Sequence, residues 1–196
     1  MVVLQQFVPA RMTVDEFLAW DSGDPSGAAW QLVDGEPIAM APGSENHGAL
    51  QGEIGRVIAN HLRAHRPSCR LIVTPGVVPR IHANRNFRIP DLGVTCSPPS
   101  AELMLANPVL LIEILSPSNE VATWTNVWAY TTMPSVQEIL VLRSVTMRAD
   151  VLRRGDDGNW PETPDIVTDG ELRLASIGFR APLASLYRTT GLAVAR

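Results

Sequence analysis

Apolar residues recur along this chain in two rhythms. The clearest is helical. After Ser44, the residues Leu50, Ile54, Val57, Ile58 and Leu62 fall at three- and four-residue steps, giving one apolar face of a helix that Pro67 ends. A shorter helix is predicted over Met12–Trp20, where Thr13 is placed to cap and Glu16 follows three residues later. Val121–Thr132 reads as a third helix, built from only moderate helix formers and stopped by Pro134. Pro182–Tyr187 reads as a terminal one.

The second rhythm is extended. Ala29–Met40 holds two short apolar stretches around Asp34-Gly35, the strongest hairpin signal in the chain. Leu71–Val78 and Pro79–His82 read as strand with a polar tip at Ala83–Asn86, and Arg88–Thr95 as a second extended segment. Val109–Leu115 is apolar on both faces, as an interior strand of a covered sheet should be. Val136–Arg143 and Met147–Arg153 read as an antiparallel pair, followed by a turn at Asp156–Asn159 and a short strand near Leu172–Leu174. This order predicts an α/β (α+β) fold, a mixed central β-sheet flanked by helices with an N-terminal β-hairpin extension. With 196 residues and no repeat or linker, one domain is expected: helix and hairpin 12–40, core 44–153 and C-terminal extension 154–196.

Composition narrows the picture. A content of 45% hydrophobic and 18% charged residues supports a sizeable core and excludes a disordered chain. The apolar runs are far shorter than the roughly 20 residues a membrane span needs, and Met1–Met12 lacks the pattern of a secretory signal. Cys69 and Cys96 follow no metal-ligand spacing, and the expectation is two buried thiols in a reducing cytoplasm. The net charge of −4 runs against a broad basic footprint for nucleic acid. All 16 basic residues are arginine, so no chemistry here uses a lysine ammonium.

Glu113 interrupts the apolar run Val109–Leu115, where alternation places it on the face of Leu111 and Leu115. An ionised carboxylate there is costly unless it is paired or binds a metal. A strand-end glutamate held by an arginine or by backbone donors is one reading. The other comes from Asp91, which opens an apolar strand 22 positions earlier and would bring a second carboxylate to the same sheet edge. Two such charges raise each other's pKa unless a cation sits between them, and oxygen ligands of this kind suit Mg²⁺.

Pro90-Asp91, followed after a loop by Glu113-Ile114-Leu115, resembles the signature of the PD-(D/E)XK nuclease superfamily. More specifically, the chain is similar to the Uma family of restriction-endonuclease-like proteins. Landmarks run in order from Met12–Leu18 through Trp30–Glu36, Met40-Ala41-Pro42 with His47, Arg88–Asp91 and Ile112–Ser118 to Tyr130 and Pro134–Glu138. The resemblance covers roughly residues 12–187. It implies a restriction-endonuclease-like core and a metal-dependent endonuclease that hydrolyses DNA phosphodiester bonds. It also implies Mg²⁺ (or Mn²⁺) held by Asp91, Glu113 and the carbonyl of Ile114.

Two departures stand out. The superfamily's lysine position is Leu115, and the family's alternative on the following helix falls at Asn126, counting back four from Tyr130. Where the family commonly has a glutamate before its Leu-Val-Asp-Gly turn, this chain has Gln31, an amide that cannot act as carboxylate ligand or base. Gln31 and Asn126 are therefore the expected stand-ins at catalytic positions, with weakened activity. The alternative is a catalytically silent scaffold that binds DNA or a protein partner.

For DNA contact the candidates are His47, Arg85 and Arg88, with Arg80 on the same hairpin, although a solvated loop explains these arginines about as well. Trp124, Trp128 and Tyr130 suit core or a homodimer interface better than base stacking. His61 and His65 have a zinc-chelating spacing but no third ligand, and Ser116–Asn119 reads as a loop and cap. Glu36 and Glu53 are further carboxylates, with Glu53 expected on a solvated helix face.

Overall fold

Thr13 begins the first helix with a reciprocal cap. Its hydroxyl accepts from the Glu16 amide (3.3 Å), and the Glu16 carboxylate accepts from the Thr13 amide (2.7 Å), starting helix α1 (Val14–Ala19). The computed structural model describes residues 11–193, so most of the Met1–Met12 segment read for a secretory signal lies outside the described residues.

Strands β1 (Trp30–Val33) and β2 (Glu36–Ala39) pair antiparallel across Asp34-Gly35. Both turn residues have positive φ, 49° and 87°, the conformation a two-residue hairpin turn requires. Ser44 caps helix α2 (Glu45–His65) by accepting from the His47 amide. Its buried face is the predicted one, with Leu50, Ile54, Ile58 and Leu62 sealed from solvent.

The main sheet is built from β3 (Arg70–Val73), β4 (Leu92–Thr95), β5 (Pro108–Leu115), β6 (Glu138–Arg143), β7 (Ala149–Arg153) and β8 (Asp165–Val167), lying in that order. Only β5 and β6 run parallel, joined by the crossover helix α3 (Glu120–Tyr130). Beyond the sheet come the hairpin β9 (Glu171–Leu174) and β10 (Phe179–Pro182) and the short helix α4 (Leu183–Leu186). The architecture is mixed α/β, as expected.

Alternation along β5 divides the core. Leu110, Ile112 and Ile114 pack with the α2 residues and the C-terminal hairpin, whereas Leu111 and Leu115 pack with Val127 and Tyr130 of α3. Both faces of β5 are covered, which accounts for its unbroken hydrophobicity.

Several expectations are corrected. Leu71–Val78 is not one strand: β3 stops at Val73, and Thr74 adopts positive φ. Val77 then pairs separately with Arg88, each amide donating to the other's carbonyl at 2.8 Å. Gly76 allows this because a Cβ there would run into the Phe87 ring. The polar tip is a 3₁₀ turn over Ala83–Arg85, and β8 and β10 add strands that the hydrophobic pattern did not signal.

Cys69 and Cys96 are not separate buried thiols. They form a disulfide, because the β3–β4 register sets Arg70 opposite Thr95 and so brings the next residues out together. The cysteines therefore no longer argue for a reducing compartment. Glu53 is not on a solvated face either. It is buried and held by Arg56 (2.7 Å) and Arg188 (2.9 Å). Among the described residues no helix is long and apolar enough to cross a membrane.

The disulfide closes a loop across 27 positions. On chain-entropy grounds its loss through Cys96→Ser should lower the unfolding free energy by about 2–4 kcal/mol. Urea unfolding with and without reductant checks this. A wild type indifferent to reductant would show that the two sulfurs are not bonded.

Candidate active site

The antiparallel ladder of β4 and β5 sets Leu92 opposite Ile112, so the preceding residue, Asp91, comes beside Glu113. The two side chains are 9% and 6% exposed, a pair of carboxylates taken almost wholly out of water. Asp91 is held at both oxygens. Its Oδ2 accepts from the Ile114 amide (2.6 Å), and its Oδ1 lies 2.8 Å from His47 Nε2. Gln51 on α2 also donates to the Asp91 carbonyl (3.0 Å). The bond between His47 and the Asp91 carboxylate raises the His47 pKa, against the opposing effect of burial.

Glu113 Oε1 accepts from the Tyr130 hydroxyl at 2.7 Å. Burial pushes the Glu113 carboxyl well above its usual range, and the neighbouring Asp91 charge adds to the effect. Hydrogen bonds from Tyr130 and Asn126 oppose it. Burial, and then the Glu113 charge, push the Tyr130 phenol up in turn, so it stays a donor.

A second layer lies behind this pair. Arg88 is only 3% exposed. Its Nη1 donates to Asn126 Oδ1 and its Nη2 to Asn86 Oδ1, both at 2.9 Å, while its Nε is sealed without a partner. Burial draws the guanidinium pKa down, offset in part by Tyr130, Asp34 and Glu113. Asn126 Nδ2 donates to Gln31 Oε1 (3.3 Å).

Asn86 is satisfied on both sides. Its oxygen also accepts from the Asp34 amide, and its Nδ2 donates to Asp34 Oδ1 and to the Ile81 carbonyl. Backbone bonds between Leu32 and Phe87 (2.7 and 3.0 Å), and from Gly35 to Arg85 (2.7 Å), join the hairpin to the segment leading into Asp91.

The structure thus brings Gln31, His47, Arg88, Asp91, Glu113, Ile114 and Asn126 into one region. Arg88 lies inside the protein, not on the hairpin surface. Arg85 is exposed on the 3₁₀ turn, close enough to Glu16 to lower that carboxyl's pKa, and Arg80 is also exposed. Leu115 is core.

Tyr130 is not a surface aromatic but the partner of Glu113, while Trp128 is 43% exposed. His61 is accounted for by the Ile177 carbonyl (3.0 Å) and the edge of Phe179. Ser116 and Ser118 bond to each other within the loop that Asn119 closes. Asn86 was missed. Only its position beside the Asp34-Gly35 turn gives it a role, and local sequence carries no sign of that.

Among the described residues no cluster of three or more His, Cys, Asp or Glu is arranged to hold a metal. The pair that is present nevertheless fits a hard cation such as Mg²⁺, which takes one or two carboxylates and completes its shell with water and substrate oxygens. Each oxygen of Asp91 and the bonded oxygen of Glu113 keeps a second lone pair.

Known proteins resemble this chain over most of its length. A curated, uncharacterised protein of Synechocystis is 28% identical over 181 residues, covering 91% of this chain and 92% of its own. A crystal structure of a "putative nuclease" from Anabaena variabilis superposes with a TM-score of 0.70 at 20% identity. That match covers 91% of this chain and 99% of the other, a likeness of fold. The model of the Uma2 family, described as "Putative restriction endonuclease", matches residues 14–184. With nearly the whole chain matched, this protein belongs to the Uma2 family.

Proposed function

We propose that this protein is a metal-dependent endonuclease that hydrolyses DNA phosphodiester bonds at the Asp91–Glu113 pair with Mg²⁺ or Mn²⁺. The observation that carries the reading is the pair itself, two adjoining buried carboxylates held by fixed donors. Such a charge arrangement is costly to keep without a cation. A divalent ion bound there would polarise a phosphate oxygen and lower the pKa of a water.

The chain's own residues set the positions. The Ile114 amide and His47 fix the Asp91 carboxylate, and Tyr130 fixes Glu113. The N–H and C=O of one strand residue point to the same side. The Ile114 amide reaches Asp91, so its carbonyl lies on the β4 side of the strand, where it would be a third oxygen ligand. His47, half-buried at the start of α2, and exposed Arg85 are the residues proposed to meet the DNA backbone.

A second reading, a silent scaffold that binds DNA or a partner, draws on Leu115 in the core and an amide at Gln31. Plasmid cleavage with Mg²⁺ or Mn²⁺ separates the two. Asp91→Ala and Glu113→Ala should each lower the rate roughly 10²–10⁴-fold, the scale of losing a positioned catalytic group. Equal cleavage by all three proteins would identify a contaminant. Salt-sensitive DNA binding without cleavage would favour the scaffold.

Cation binding to the folded state should also raise the melting temperature of the wild type. At a hundredfold excess over Kd the stabilisation is about 2.7 kcal/mol, or roughly 5–10 °C. Calorimetry of Asp91→Ala should show no such rise.

The raised Glu113 carboxyl sets the sign of a pH effect. A group whose folded pKa exceeds its unfolded value stabilises fully below the unfolded value, here near 4.5, and that stability is lost as pH rises through the folded one. Metal-free wild type should therefore lose stability upward from about that pH. Glu113→Gln should flatten the slope in urea titrations run at stepped pH. His47, whose pKa is also raised, contributes equally to both proteins.

A further inference from the structure

Arginine has five N–H donors and no acceptor, which gives a direction to every hydrogen bond beyond it. Because Arg88 Nη1 donates to Asn126, the amide atom facing it must be oxygen, and Asn126 Nδ2 must turn the other way. That nitrogen meets Gln31 Oε1 (3.3 Å), and Asn126 lies one helical turn before Tyr130, whose hydroxyl holds Glu113. With its oxygen taken, Gln31 is left presenting Nε2–H₂. Asn86 locks the head of the chain, since its oxygen holds Arg88 Nη2 while its own nitrogen is held by Asp34 and Ile81.

Gln31 is 6% exposed, and its nitrogen has no partner among the described residues. This nitrogen is not sealed from solvent, so an anionic oxygen that takes the place of water there meets a ready donor. A cation at the head polarises each amide in turn and strengthens the last donor.

We propose that Arg88–Asn126–Gln31 is a directed donor chain whose end, Gln31 Nε2, binds an anionic oxygen of a phosphodiester beside Asp91 and Glu113. The proposal rests on the phosphodiester reading above. Arg88 and Asn126 are positioning residues; Gln31 touches the ligand. The chain supplies hydrogen-bonding positive character to a site in a protein without lysine. It also makes Gln31 a binding group in its own right rather than a lost carboxylate. A glutamate at this position would accept from Asn126 equally well, but its far end would be an acceptor and would repel the phosphate.

Thymidine dinucleotide, which carries a single phosphodiester, provides the test. It is titrated into protein labelled with ¹⁵N at side-chain amides, at low ionic strength with and without Mg²⁺. The Gln31 Nε2 signals should shift with the dinucleotide and stay still with its neutral methylphosphonate analogue. Gln31→Met should weaken the dissociation constant roughly tenfold. Gln31→Glu should weaken it at least as much, and Arg88→Met should weaken it with Gln31 intact. Circular dichroism confirms that each variant is folded, and the two Gln31 variants suffice should Arg88→Met fail to fold.

Static Gln31 signals, or a Gln31→Glu protein that binds as tightly as wild type, would overturn the assignment. Failure of the nuclease reading looks different. In that case the Gln31 signals move with the dinucleotide while no metal-dependent cleavage occurs.

Discussion

Two carboxylates buried side by side set the terms for everything around them. Asp91 and Glu113 meet because the β4–β5 ladder ends one residue short of them, leaving them side by side just past its last pair. Burial, and then the charge of Asp91, lifts the Glu113 carboxyl. The surroundings counter that cost: the Ile114 amide and His47 meet Asp91, and the Tyr130 hydroxyl donates to Glu113. The elements that carry these donors are therefore constrained. The α2 N-terminus must approach β4, and α3 must cross β5 with its Tyr130 face inward.

The N-terminal hairpin is tied into the same constraint. Its turn residue Asp34 is bonded to Asn86, which holds Arg88, which holds Asn126. A buried guanidinium is stable only when it is enclosed by acceptors and charge, and Asn86 and Asn126 provide the acceptors. Leu32 pairs with Phe87 at the backbone and carries Gln31 beside it into the site. The hairpin is thus less an appendage than part of the site's frame, and its loss would leave Asn126 without Gln31 and Asn86 without Asp34.

At the opposite end of β4, the Cys69–Cys96 bond ties the same strand to β3. β4 is thus held at one end by a covalent link and at the other by the hydrogen bonds of Asp91. Between them Leu92 and Val94 are sealed in the core shared with α2. A short strand fixed in this way holds one member of the carboxylate pair in position.

Much of this was legible in the amino-acid order, because the relevant signals are local. Helix α2 shows in the spacing of Leu50, Ile54, Ile58 and Leu62, the hairpin in Asp34-Gly35, and the covered strand in the apolar run around Glu113. Asp91 and Glu113 stood out because a carboxylate in an apolar strand needs a reason. What the tertiary structure decided depends on partners distant in the chain. Arg88, read as a surface residue, is buried because Asn86 and Asn126 enclose it from separate segments. Glu53 is buried because Arg188 reaches it from the far end of the chain. The cysteines pair because of a strand register that no spacing rule encodes. Strand β8 is set by its pairing with β7 at the edge of the main sheet, and β10 by its pairing with β9. Periodicity acts over a few residues and can be read in one dimension. Hydrogen-bond direction and charge burial need neighbours, and only the folded chain supplies them.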